Sequence, residues 1–336
     1  NKRDYNYTTS KITTSTGYGK GGNGYTKKMS RLTENILSYM NEWGDHRFTA
    51  TGVYSWQNYM YETLSISGNG FANDETGAWD MGQANRETVE YGSDKYENSL
   101  ISWTGRVTYA YKDRYLLTAT ARYDGSSRFG ENNKWGFFPS IGLAWRASEE
   151  EFLAGNKVIT NLKVRGSFGV TGNQEIGNYK SLAQLTGSNY TDGSSVIYGF
   201  KESIGNGDLK WERTTQLDLG FDLGLWNRMD IAFDYYIRNT NDLLYDVPIP
   251  STSGYSRILS NIGKVTNKGW ELSVGGTIIQ NKDFNLYASA NITYNQNKIK
   301  ELYGGVDEVS VRYEAGGLAR ILKVGESVDA VYARHS

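Results

Sequence analysis

Apolar and polar residues alternate one for one along about ten segments of this chain, most clearly in 101–111. There Ile101, Trp103, Val107, Tyr109 and Tyr111 share one parity, while Ser102, Thr104, Arg106, Thr108 and Ala110 hold the other. A repeat of two is the repeat of a β-strand, so each segment has one apolar and one polar face. The pattern predicts strands over 32–40, 46–57, 100–111, 115–124, 135–146, 161–171, 214–225, 229–239, 268–280 and 284–296. It is weakest in 32–40, where Glu34 and Ser38 blur the alternation.

The connections differ systematically in length. Short ones at 41–45, 112–114, 226–228 and 281–283 carry Asn, Asp or Gly, which suit tight hairpins. In 147–160, Ser148 followed by Glu149, Glu150 and Glu151 predicts an N-cap and a short helix. Long loops rich in Gly, Asn, Ser and Tyr are predicted at 58–99, 172–213 and 240–267, with a smaller one at 125–134. Residues 1–31 read as the end of another extracellular loop, and 297–336 as a loop or following barrel segment. Short turns at one end and long loops at the other are the layout of an outer-membrane barrel, turns periplasmic and loops outside. A β-sandwich has no such inequality between its ends.

The apolar faces fit lipid. Ten or eleven tilted residues at about 3.3 Å each span roughly the 25 Å apolar band of such barrels. Trp43, Tyr111, Tyr115, Trp145 and Trp226 lie near the short turns, and Trp56, Tyr123, Trp135, Trp270 and Tyr294 near the long loops. Rings at both ends are the two interface girdles. The opposite faces carry Lys163, Arg165 and Ser167, then Gln216, Asp218 and Asp222, then Asp230, Asp234 and Arg238. Both charge signs would be costly in an apolar core but suit a wet lumen or a polar plug. The fold class that follows is all-β: a partial antiparallel transmembrane β-barrel, localised to the bacterial outer membrane.

Composition narrows the chemistry. The 336 residues include 39 Gly, 26 Tyr and 9 Trp but 3 Pro, and few prolines suit long hydrogen-bonded strands. Net charge is −1, with no basic stripe, so nucleic acid is excluded as a partner. Without cysteine there is no disulfide, thiol chemistry or Cys-zinc site. No run of 18 apolar residues exists, which says nothing against strands that span a membrane. Asn1 stands where an initiator Met would be, and the chain reads as an internal or processed piece.

Seven short stretches go beyond generic barrel texture. Arg122-Tyr-Asp-Gly-Ser-Ser-Arg-Phe-Gly130 leads into Trp135-Gly-Phe-Phe-Pro-Ser-Ile-Gly-Leu-Ala-Trp-Arg146. Leu162-Lys-Val-Arg-Gly-Ser-Phe-Gly-Val-Thr-Gly-Asn-Gln174 and Asp208-Leu-Lys-Trp-Glu-Arg-Thr-Thr-Gln-Leu-Asp-Leu-Gly220 follow. Then come Asp234-Tyr-Tyr-Ile-Arg-Asn-Thr-Asn-Asp-Leu-Leu244, Pro248-Ile-Pro-Ser-Thr-Ser-Gly254 and Asn261-Ile-Gly-Lys-Val-Thr-Asn-Lys-Gly269. In order and spacing these resemble the barrel of SusC/RagA-type TonB-dependent transporters of Bacteroidota, from about residue 30 to 300. Asp124, Gly125, Ser126, Arg128, Phe129, Trp135, Pro139, Gly172, Asn173, Gln174, Trp211, Glu212, Asn267 and Gly269 carry the likeness as structural residues of strands and loop bases. The resemblance implies a barrel of about 22 strands closed around a plug, of which this chain is the middle portion. It further implies a SusD-like lipoprotein over the loops, TonB contact through the plug region, and outer-membrane lipid and lipopolysaccharide around the wall. Oligosaccharides or peptides would be the cargo. A non-transporting glycan-binding adhesin and a passive porin are the alternative readings.

No enzyme chemistry emerges. The two histidines, His46 and His335, are far apart in sequence. No cofactor is implied; Asp74, Glu75 and Asp80 share one loop and offer hard donors for Ca²⁺, a solvated acidic loop being the plainer reading. Loop aromatics are the candidate substrate contacts, because sugars and peptides bury against ring faces: Tyr59, Tyr61, Phe71, Trp79, Tyr91, Tyr190, Tyr198 and Phe200.

Overall fold

The computed structural model describes residues 1–9, 19–183, 185–189, 196–200, 203–253, 255, 257–313 and 318–333. Its strands begin with β1 (Lys2–Thr8), β2 (Lys20–Trp43), β3 (His46–Asn69), β4 (Glu90–Tyr111), β5 (Tyr115–Ser126), β6 (Trp135–Arg146) and β7 (Ile159–Asn173). Next come β8 (Leu185–Asn189), β9 (Val196–Phe200), β10 (Ser203–Ile204), β11 (Glu212–Leu225), β12 (Met229–Asn241), β13 (Leu244–Pro248) and β14 (Arg257–Asn261). Then follow β15 (Lys264–Gln280), β16 (Asn285–Glu301), β17 (Glu308–Tyr313), β18 (Leu318–Lys323) and β19 (Val331–Ala333). Eleven strands make one sheet, in the order β1-β2-β3-β4-β5-β6-β7-β11-β12-β15-β16. All ten predicted strands belong to it. The chain divides into two units, 1–34 with 55–101 and 35–54 with 102–336, the boundary falling inside β2, β3 and β4.

In the second unit, antiparallel register carries apolar residues straight across the wall. Leu219, Phe221 and Leu223 of β11 stand opposite Tyr235, Phe233 and Ile231 of β12. Those stand opposite Trp270, Leu272 and Val274 of β15, which in turn face Tyr294, Ile292 and Ala290 of β16. This face is not a core: Leu143 is 58% exposed, Leu219 52% and Ile292 56%. A continuous apolar face of that extent in water would be strongly unfavourable, so it requires a lipid environment. Tyr123 and Trp135 stack at 4.8 Å and 11° at one end of the band. Trp43 and His46 stack at 5.5 Å at the other.

Tight turns close the short-connection end. Lys112 and Asp113, and likewise Trp226 and Asn227, all have positive φ, and Arg114 N and Arg228 N bond back to Tyr111 O and Leu225 O. Two left-handed residues between paired strands are the hairpin turn whose twist matches a right-twisted sheet.

In the first unit β1 pairs with Lys20–Thr26 of β2. The 70–89 loop folds through three single 3₁₀ turns and buries Phe71, Ala78 and Ala84. Gly21 is needed there, since a Cβ would lie 2.8 Å from both Ala78 Cβ and the Tyr7 ring.

Several expectations are corrected. Residues 1–31, read as loop, hold β1 and the start of β2; β3 and β4 likewise run into 58–99, leaving 70–89 as the connection. Backbone pairing needs no apolar side chains, so a ladder continues past the band where alternation ends. The segments 172–213 and 240–267 contain the β8–β9 hairpin and the β10-β14-β13 sheet, and 297–336 contains the end of β16 and the β17-β18-β19 sheet. No helix with a Ser148 cap forms at 147–160: Ala147–Glu149 is one 3₁₀ turn without a side-chain cap. The Glu150 carboxylate is instead held by Tyr115, Trp145 and Arg114, and so short a segment cannot offset the cost of helix nucleation.

Candidate functional site

The polar face of β7, β11 and β12 forms a chain of paired charges. Arg165, Gly220 and Asp234 share one row of the register. The Arg165 guanidinium crosses over Gly220 to hold both Asp234 oxygens, its Nη2 at 2.8 Å from Oδ2 and 3.3 Å from Asp222 Oδ1. A Cβ at Gly220 would lie 2.7 Å from Phe233 O, so glycine is what lets this fork close. Lys163 stands 3.8 Å from Asp222, Ser167 donates to Asp218 at 3.3 Å, and Gln216 joins Asp218 to Arg238. Beside them, Gly142, Thr118 and Ser167 open a hollow of about 280 Å³. Paired charges leave this wall hydrated and close to neutral, suited to lining a passage rather than trapping one ion.

At the long-loop end most of the motif residues converge on one knot. Phe129 and Trp211 are buried with their rings 5.0 Å apart, and Phe138 meets Trp211 edge-on at 5.3 Å. The Trp211 indole N–H donates to Lys134 O at 2.9 Å, and Ser126 N donates to the same carbonyl at 3.0 Å. A side chain at Gly172 would overlap the Phe138 ring, and one at Gly125 would meet the Trp135 ring at 2.7 Å. Buried Asp124 accepts from Arg122 Nε at 2.7 Å, and Arg122 also donates to buried Ser102. Arg128 donates to Gln174 O at 3.1 Å; Asn173 donates to Glu212, whose other oxygen accepts from Leu244 N. Pro139 lies just beyond the β6–β7 ladder, which begins at Ser140, so its missing N–H breaks no bond there. Asn267 and Gly269 stand apart on β15, where Asn267 accepts from Asn297 at 2.6 Å.

Sequence reading missed Leu209, fully buried in the knot, and Asn261, whose amide both donates to Lys210 O and accepts from Lys210 N. Both lie inside the quoted motifs, but nothing local announces a contact across some fifty residues.

The candidate aromatics separate. Tyr59 and Tyr61 gather around Tyr96 at 6.2 and 4.7 Å, the closer pair stacked, with Lys28 Nζ 5.9 Å from the Tyr61 ring. Tyr96 was not singled out by sequence. Trp79 is exposed and stacks on Tyr5 at 4.6 Å, while Tyr91 is 84% exposed. Phe71 is buried against Tyr7, its ring spent on packing. Tyr198 and Phe200 lie in β9, paired with Gly187 and Leu185. Tyr190 and His335 lie outside the described residues. Of the proposed cation ligands, Asp74 accepts from Tyr7 and Asp80 from Gly82 N and Gln83. No cluster of three or more metal-type ligands occurs among the described residues.

Comparison with known proteins follows the same lines. A family described as TonB dependent receptor-like, beta-barrel matches residues 1–320. A TonB-dependent receptor of Formosa agariphila is 39% identical over 303 residues, covering 89% of this chain and 28% of the relative. The TonB-dependent receptor SusC of Bacteroides thetaiotaomicron is 39% identical over 238 residues, 69% of this chain and 23% of that protein. The structure of the RagAB peptide transporter superposes with a TM-score of 0.84 at 31% identity, over 93% of this chain and 34% of the other. The chain thus spans about a third or less of the length of these relatives.

Proposed function

This chain belongs to the TonB-dependent receptor-like β-barrel family, whose barrels lie in the outer membrane, and from that premise we propose that it walls part of an energy-coupled importer. The family is one of receptors and transporters rather than of enzymes. The cargo is an oligosaccharide or a peptide, captured beneath a SusD-like lipoprotein and released inward by a plug that TonB pulls. The observation that carries this reading is the two-faced wall: exposed aliphatics on one side, and on the other the Arg165–Asp234 fork with its neighbours. The RagAB likeness supports peptides and the SusC likeness the same transporter type.

On this reading the long loops are extracellular and the short turns periplasmic. The motif residues of the knot are positioning residues that fix loop bases, and the Tyr59–Tyr61–Tyr96 cluster is a three-ring surface suited to stacking a sugar ring or a peptide side chain. The test is uptake by cells carrying the full-length protein. Accumulation of labelled oligomer is expected to stop when TonB is removed, and the lipoprotein is expected to co-purify. Uptake that continues unchanged without TonB would favour a passive porin, and binding without any uptake an adhesin.

A further inference from the structure

The apolar face of the β12–β15–β16 wall is not level. Across β15 and β16 the paired residues shrink from Leu272 and Ile292 through Val274 and Ala290 to Gly276 and Ala288, before the large pair Ile279 and Leu286 closes the turn end. Met229 of β12 stays large beside Gly276, so the taper is a groove running along the strands rather than a general thinning. A register shift between Thr277 and Ile279 adds a residue at the groove's end and leaves Ile278 62% exposed on its rim. The hollow measures about 600 Å³ and is lined by Met229, Val274, Gly276 and Ala288.

Two further residues line its mouth. Arg228 is exposed and makes no ion pair among the described residues, and neither does exposed Lys282 in the 281–283 turn, whereas Arg47, Lys112 and Arg114, around the 44–45 and 112–114 turns, each face a carboxylate. Trp226 is 55% exposed and sits at φ +53°, a left-handed conformation that a bulky side chain seldom adopts. A two-residue turn of this type favours Asn or Gly. Here it presents an indole at the membrane interface instead.

The geometry points to a phospholipid seat: one acyl chain in the Gly276–Ala288 groove, the phosphate on Arg228, and the Trp226 ring at the headgroup level. The groove is continuous with the lipid-facing band, and a guanidinium with no ion pair among the described residues complements a phosphate diester. The inference rests on that band and on the two turn residues, not on transport, so it stands or falls separately from the transport reading.

The experiment is native mass spectrometry of the full-length protein released from nanodiscs of phosphatidylethanolamine and phosphatidylglycerol. One phospholipid is expected to survive activation that strips the annular shell. Arg228→Gln is expected to lower its occupancy about fivefold. Ala288→Leu, which fills the groove without touching the charge, lowers it comparably. Arg114→Gln, whose guanidinium is already held by Glu150, leaves it unchanged. Heat-shifted gel mobility establishes that each variant is folded, and Arg228→Gln decides alone if Ala288→Leu is not. Unchanged occupancy in Arg228→Gln, or an equal loss in Arg114→Gln, overturns the assignment.

Discussion

At the scale of single residues, the wall depends on groups fitted closely to their neighbours. Gly220 is one: alanine there would press on Phe233 O and on Asp234 under the Arg165 fork. Gly220→Ala is expected to cost about 1–3 kcal/mol, read as a lower urea midpoint of the folded barrel. Glu150 is another. Hydrogen bonds from Tyr115 and Trp145, aided by the Arg114 charge, hold its carboxyl below the ordinary carboxylate range. A lowered value means stability that is present above the unfolded pKa and lost as pH falls through the folded one. Glu150→Gln is therefore expected to flatten the acid limb of the stability profile while leaving the profile above pH ~6 parallel to that of the parent. An unchanged acid limb would mean that Glu150 does not couple to folding.

At the scale of elements, the knot at the loop bases joins the β5–β6 connection, the end of β7 and the approach to β11. Its cement is Phe129, Phe138, Leu209 and Trp211. Trp211→Ala is expected to cost about 3–5 kcal/mol and to expose the 205–211 backbone to protease, with the strands themselves retained. Cleavage at the parent's rate would show that the loops are held elsewhere. The motifs of this region were legible as turn and loop-base chemistry, because Asp124-Gly125-Ser126 and Pro139 carry local conformational meaning. Their convergence was not legible. Phe129 and Trp211, some eighty positions apart, meet only because the register of intervening strands brings them together.

At the scale of the whole molecule, what the apolar face touches is the decisive quantity. Ile141, near the middle of β6 between Trp135 and Trp145, is 45% exposed, and in a water-facing sheet its replacement by arginine would be nearly neutral. Facing lipid, Ile141→Arg is expected to cost about 2–4 kcal/mol, measured by refolding into vesicles. A neutral outcome would place this face against water or protein.

The sequence by itself determined the strands, their faces and the family, because a two-residue repeat and a series of ordered motifs are local properties of the chain. It also marked the short turns and the aromatic girdles. Only the tertiary structure decided where strands end beyond the apolar band, since hydrogen-bonded ladders persist without hydrophobic side chains. It alone decided that Glu150 is drawn into a bonded turn rather than a helix, and that Phe71 is packed while Tyr96 completes an aromatic cluster. Each of these outcomes depends on partners far away in the chain, and register, not periodicity, chooses them.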